Sequence, residues 1–292
     1  MEFGTAEKEG LCRAWMSWRS RKMWNTPMDL ARLTTCHAEI ASFVGARGEP
    51  LTTIQRVEEH RWFWRPQKPR LILLAESHVH TSEADLVCAV RPRTEFPAGL
   101  PTGFVRLVYC LGYGESSLID GMVTGRNTGT PQFWQIFHSC IHRVISNSDF
   151  RNVQISRTRG LDERVNSKLR LLHALREEGI WLVDASIAAL YQQGQPKPSH
   201  QLRVQVIQTS WDRYVGPAVV DAAPEAILCI GVGVARTLKS RLNELGIPWG
   251  CVPQPQARLS PSQRFQVFAT YHAVSRDPSS VRKVSREWLV RE

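Results

Sequence analysis

The stretch Leu71-Ile72-Leu73-Leu74-Ala75 constrains this chain more than any other. Four aliphatic residues in succession read as a strand buried on both faces, which belongs in the middle of a covered sheet. Charge and turn chemistry follow at once in Glu76-Ser77-His78-Val79-His80. Ile180-Trp181-Leu182-Val183 running into Asp184, and Ala226-Ile227-Leu228-Cys229-Ile230 running into Gly231, repeat the pattern. Such strands alternating with amphipathic helical segments predict an α/β fold, a three-layer α/β/α sandwich with a mainly parallel four-stranded central sheet. Residues 248–252 supply its short last strand. Ligands of open parallel sheets sit at the carboxyl ends of the strands, so the polar exits are the candidate functional positions. Each exit also has a purely structural use, since Glu76 or Asp184 could cap the segment that follows it.

Before the first strand, residues 6–67 read as a helical extension, with Trp15 and Trp18, then Leu30 and Leu33, at helical spacing. Met1 to Thr5 reads as a vector remnant outside the fold. Arg19-Ser20-Arg21-Lys22 beside Trp15, Trp18 and Trp24 fits either a core face with solvated cations or a nucleic-acid contact by charge and stacking. Residues 68–292 then form one α/β domain. Within it, 86–90 and 104–110 read as further strands, separated by a loop marked by Pro92, Pro97 and Pro101. Gly129-Thr130-Pro131 opens an amphipathic helix whose apolar face includes Trp134, Phe137 and Ile141. Residues 145–163 read as loop or short helices, and 165–178 as a helix ended by Gly179. Further helices are expected over 210–220, cut by Pro217, and over 234–245 and 262–275. Gly231-Val232-Gly233 lacks the third glycine of a dinucleotide fingerprint and follows a late strand, so tight strand–helix packing is expected there.

The 292 residues include 37 basic and 27 acidic side chains, a formal net charge of +10. Such an excess favours a polyanionic partner. The apolar runs fall short of the roughly 18–20 residues of a membrane span. Lys8, Glu9 and Arg13 interrupt the apolar residues that a signal peptide would need. Seven cysteines without a close pair suit a reducing compartment, so a cytoplasmic protein is expected, nucleoid-associated if bacterial. Neither they nor the nine histidines predict a metal site, and no cofactor is expected. The chain is expected to be a monomer without membrane association.

Three strand exits and two loops, taken together, resemble the uracil-DNA glycosylase superfamily. The resemblance spans roughly residues 68–275 and rests on order and spacing more than on identity. That family opens with a strand ending in a Gly-[Glu or Gln]-x-Pro-Gly-like turn, and Ala75-Glu76-Ser77-His78-Val79 stands in that place. Its Pro-Ser-Leu-x-Asn-Ile-like helix start is similar to Pro131-Gln132-Phe133-Trp134-Gln135-Ile136. Its Gly-Val-x-Leu-Leu-Asn strand is similar to Gly179-Ile180-Trp181-Leu182-Val183-Asp184. A strand with a small-residue turn follows, like Ile227–Ala235, and the place of its His-Pro-Ser loop is taken by Gln254-Pro255-Gln256. The first turn here lacks the glycines and proline, Ser77 stands where the best-known branch has Asp, Asp184 stands for Asn, and Gln254 for His.

The resemblance implies a DNA repair enzyme that flips uracil out of the stack and hydrolyses its N-glycosidic bond, leaving an abasic site. Glu76 would position water or stabilise the cationic sugar, with His78 as the other candidate. Gln254 would donate a neutral hydrogen bond to the departing base. Asp184, with Ser77, would contact the base edge, and Tyr109 or Tyr113 would stack on the ring. Arg258 and Leu259, flanked by Gln256 and Ser260, would enter the duplex and fill the vacated space. No lysine stands at a strand exit for Schiff-base chemistry, which implies a monofunctional glycosylase. Two other readings stay open. One is a non-catalytic DNA-binding member of the same fold. The other is an unrelated α/β hydrolase or nucleotide-binding enzyme, for which the Gly-x-Ser-x-Gly elbow is missing.

Overall fold

A computed structural model describes residues 28–45, 48–153, 159–192, 194–254 and 257–288. The basic, tryptophan-rich cluster at 15–24, the vector-like start and Gln256 lie outside the described residues. The strands are β1 (Leu71–Ala75), β2 (Ala89–Val90), β3 (Ile119–Asp120), β4 (Ile180–Asp184), β5 (Ala226–Ile230) and β6 (Trp249–Val252). Four of them form an all-parallel central sheet in the order β4-β1-β5-β6, and β2 pairs with β3 in a separate antiparallel ribbon.

Every residue of β1, β4 and β5 is buried, as a sheet covered on both faces requires. The register sets Leu73 between Leu182 and Leu228. Ala75 pairs with Asp184, so β1 and β4 leave the sheet at the same level.

The helices are α1 (Leu30–Val44), α2 (Leu51–Phe63), α3 (Pro131–Ile141), α4 (Leu161–Glu177), α5 (His200–Ser210), α6 (Gly216–Ala222), α7 (Val232–Glu244), α8 (Pro261–Arg276) and α9 (Val281–Trp288). They flank the sheet in two packed groups, α3 with α4 and α8, and α5 with α1 and α7, completing a three-layer α/β/α sandwich. Pro131 stands in the first turn of α3, where its missing N–H leaves no bond unmade. Ser260 and Gln263 close a capping box on α8.

Sequence and structure differ where an apolar run is buried without being a strand. Phe104–Cys110 is buried along its whole length, yet it forms turns rather than the expected strand. Phe104 N–H bonds Cys88 O beside the isolated Ala89–Gly103 bridge, but later amides bond outside any ladder, Arg106 N–H to Thr81 Oγ1 and Cys110 N–H to Leu107 O, each at 2.9 Å. An apolar run reports burial, and only pairing partners make a strand. The strand expected over 86–90 is reduced to Ala89–Val90, and Glu83–Val87 forms a 3₁₀ turn. Pro217 does not cut a helix. A π turn at Trp211–Val215 joins α5 to α6 and absorbs the hydrogen bond that the proline cannot donate.

The described part of the segment expected as an extension packs into the same core. Leu33 and Ile40 of α1 and Ile54 and Val57 of α2 are buried with the sheet residues in one hydrophobic cluster.

Leu73, fully buried in the strand that pairs on both sides, reports on this core directly. Leu73→Ala is expected to destabilise the fold by about 2–5 kcal/mol, read from urea unfolding midpoints. A loss below about 1 kcal/mol would mean that the sheet centre is not the core.

Candidate functional site

The connection from β1 leads to β4 on one side, and that from β5 leads to β6 on the other. Such a reversal opens a crevice outside the carboxyl ends of the two adjacent strands, β1 and β5. Glu76 leaves β1 at this point. Arg203 Nη1 donates to its Oε1 at 2.5 Å, and Gln254 Nε2 donates to its Oε2 at 3.3 Å. The Glu76 side chain keeps 10% exposure, so it faces the crevice rather than the core. Tyr191 lies beside the pair. Partial burial and then the Glu76 charge push its phenol up.

Arg203 stands in the first turn of α5, whose start is capped by Ser199. Gln254 follows β6 directly. The two glycines after β5 make room for both groups. A Cβ at Gly231, which holds φ at 115°, would stand 2.7 Å from Gln254 Cγ, and one at Gly233 would stand 3.0 Å from Arg203 Nη1. Tight strand–helix packing is the expectation at Gly231-x-Gly233; the groups that crowd these glycines are instead the two side chains that hold Glu76.

Beneath this crevice lies a buried ionic cluster. Arg61 Nη2 donates to Asp184 Oδ2 at 2.5 Å, and its Nη1 bonds Glu58. Tyr214 donates to Glu58 Oε2 at 3.1 Å and accepts from Trp62 Nε1 at 2.9 Å. His78 Nε2 pairs with Glu49 Oε2 at 2.8 Å, and its Nδ1 lies 3.9 Å from Asp184 Oδ2. Glu49 also accepts from the backbone N–H groups of Thr81 and Ala189, each at 2.9 Å.

Burial alone would push the His78 imidazole down, but the charge and hydrogen bond of Glu49 outweigh it and hold its pKa up. Burial alone would raise Glu49, but the charge and hydrogen bond of His78 and the two amides hold its carboxyl down. Burial pushes the Glu58 carboxyl up, against Arg61.

The structure brings Glu76 and Gln254 together and separates them from most of the other expected site residues. Asp184, expected at the base edge, is 2% exposed with its carboxylate taken by Arg61, and it neither reaches the crevice nor caps a helix. The backbone at 185–191 forms bends instead of the capped segment. His78 belongs to the buried cluster and not to the Glu76 site. Tyr109 is a core residue, stacked on Phe137, and its hydroxyl accepts from Leu182 N–H at 2.8 Å. Tyr113 is likewise buried. Ser77 is half-buried and accepts from Leu190 N–H.

In the last loop, Arg258 is exposed, and Ser260 is spent on capping α8. Leu259 does not protrude. It packs on the core and lines an open cleft of about 500 Å³ between α3, α8 and the end of β6, next to Gln254.

Sequence reasoning missed Arg203 and the cluster partners Glu49, Glu58 and Arg61. Gly233 was the one available signal for Arg203. His138 and His142, four residues apart, were also overlooked. Their rings lie 4.6 Å apart, and burial followed by the His142 charge pushes His138 down to about 4. Among the described residues no group of three or more His, Cys, Asp or Glu is placed to hold a metal ion, and no helix is long and apolar enough to cross a membrane. No protein-family model matches the chain, and no curated protein matches it.

The His78–Glu49 pair sets a pH dependence. A histidine whose folded pKa is raised contributes fully below its ordinary value, near 6.5, and the contribution is lost as pH rises through the folded value. As pH rises above about 6.5 the parent protein should lose more stability than His78→Gln, read as the shift of the urea midpoint. Equal slopes for the two proteins would show that His78 is neutral in the fold.

Proposed function

We propose that the chain is a nucleic-acid glycosylase that hydrolyses the N-glycosidic bond of uracil in DNA. The observation that carries this reading is the carboxylate of Glu76 at the topological switch point, held by Gln254 from the last strand exit. The first and last motifs of the glycosylase resemblance meet there. Breaking the bond builds positive charge on the sugar and negative charge on the base. Glu76 supplies a fixed negative charge for the first and an acceptor that orients water for attack at C1′. The amide of Gln254 uses one N–H on Glu76 and has a second for the departing base. Arg203 keeps the carboxylate in place. The net charge of +10, with Arg258 and Arg264 exposed beside the cleft, suits a phosphate backbone.

One observation favours a second reading, a non-catalytic DNA-binding protein. The position where the family reads its base holds Asp184, and Arg61 occupies that carboxylate. The two readings separate on one measurement, the formation of alkali-labile abasic sites in uracil-containing DNA.

Under single-turnover conditions the parent protein is expected to form such sites. Glu76→Gln should lower the rate by about two decades or more, by loss of charge stabilisation, while binding stays within about threefold. An unchanged rate in Glu76→Gln would remove Glu76 from the chemistry. Binding without product in the parent protein would support the binding protein instead. In either case affinity should fall log-linearly and steeply with salt, because phosphate contacts release counterions. An affinity independent of salt would argue against a nucleic-acid partner.

A further inference from the structure

With Asp184 closed off by Arg61, the base must be recognised elsewhere, and the cleft beside Gln254 has the chemistry for it. One wall comes from the first turns of α3, where Gln132 and Gln135 stand half-buried one turn apart. The other comes from α8, with Phe268 and Tyr271. Gln254 lines the cleft and also reaches Glu76, so the cleft and the crevice share one side chain.

Three features mark a ligand site rather than a packing gap. Tyr271 is 1% exposed, and its buried hydroxyl has no hydrogen-bond partner among the described residues. A buried polar group without a partner costs roughly 1–3 kcal/mol, which a ligand atom would relieve. The side-chain amides of Gln132 and Gln135, half-buried on the cleft wall, have no protein partner among the described residues either, which leaves both open to a ligand. Each offers a donor and an acceptor side by side, the complement of a cyclic imide or amide edge. Finally, no carboxylate lines the cleft, and Arg264 stands exposed on its wall. A planar heterocycle with adjacent C=O and N–H groups, attached to a phosphate, satisfies all three.

We infer that this cleft, between α3 and α8, is the base-recognition pocket, and that it takes a pyrimidine with a C=O/N–H edge such as uracil. The inference rests on the glycosylase reading for its choice of ligand, and its geometry stands apart from Glu76. Phe268 supplies apolar ring surface for the heterocycle, as aromatic walls do in base pockets, and Tyr271 brings its unpartnered hydroxyl. Gln132 and Gln135 read its edge, and Arg264 contacts a flanking phosphate. Gln254 then links the recognised base to the carboxylate that acts on the sugar.

The test uses the full chain and two fluorescent oligonucleotides of equal sequence. One carries a single deoxyuridine and the other a tetrahydrofuran abasic analogue at the same place. Affinities are measured by anisotropy in the Glu76→Gln background, so that excision does not intervene. The background protein should prefer the deoxyuridine strand. Gln135→Ala and Tyr271→Phe should each remove about tenfold of that preference, as the loss of one buried base contact does, and leave abasic-strand affinity unchanged. Tyr271→Phe keeps the ring and removes only the unpartnered hydroxyl, so it guards against misfolding. A preference that persists in both variants would overturn the pocket, even if the parent protein excises uracil. A preference lost in both variants, with no excision by the parent protein, would keep the pocket and overturn the glycosylase reading. Absence of any preference in the background protein would overturn the pocket outright.

Discussion

The ion pair between Arg61 and Asp184 is the contact on which the rest of the architecture depends. Asp184 ends β4, and Arg61 belongs to the last turn of α2, a helix that precedes the sheet in sequence. Both side chains are almost fully buried. Removing a charge from water costs several kcal/mol, so such a pair needs further partners. Glu58 takes the second arm of the guanidinium, and His78 with Glu49 approaches the carboxylate from the β1 exit, while Arg61 Nε has no hydrogen-bond partner among the described residues. Residues 49–61 are thereby locked under the carboxyl ends of β1 and β4. These pairs, with the buried apolar residues of α1 and α2, tie helices that look like an appendage in the sequence to the core of the sheet. It also gives the exits of both strands a rigid floor.

That floor divides the residues leaving β1. His78 turns inward to the cluster, while Glu76, two residues earlier, turns outward to the switch-point crevice. The second half of the fold converges on Glu76 from above. Arg203 arrives from the helix after β4, and Gln254 from the strand after α7. A side chain at Gly231 would crowd Gln254, and one at Gly233 would crowd Arg203. Strand order, two glycines and two polar side chains thus serve one carboxylate. The same Gln254 opens onto the cleft between α3 and α8, so a group bound there lies next to the charge at the crevice.

The sequence by itself determined the layers. Uninterrupted apolar runs at 71–75, 180–183 and 226–230 have only one comfortable place, inside a parallel sheet covered on both faces, and that is where they lie. That Glu76 and Gln254 lie at the carboxyl edge of the sheet was also legible, because each follows a strand whatever the packing around it. The roles of Asp184, His78, Tyr109 and Tyr113 were decided by tertiary structure alone. A polar side chain after a buried strand can turn to solvent or to a partner, and the partner of Asp184 lies 123 residues away at Arg61. The seven buried residues at 104–110 carry the same apolar signal as a strand, and only the absence of a neighbouring ladder makes them turns. Side-chain chemistry that depends on the chain's own neighbours in sequence could be read directly. Chemistry that depends on which distant charge arrives in a dry interior could not, because electrostatic partners are chosen by the fold and leave no periodicity behind.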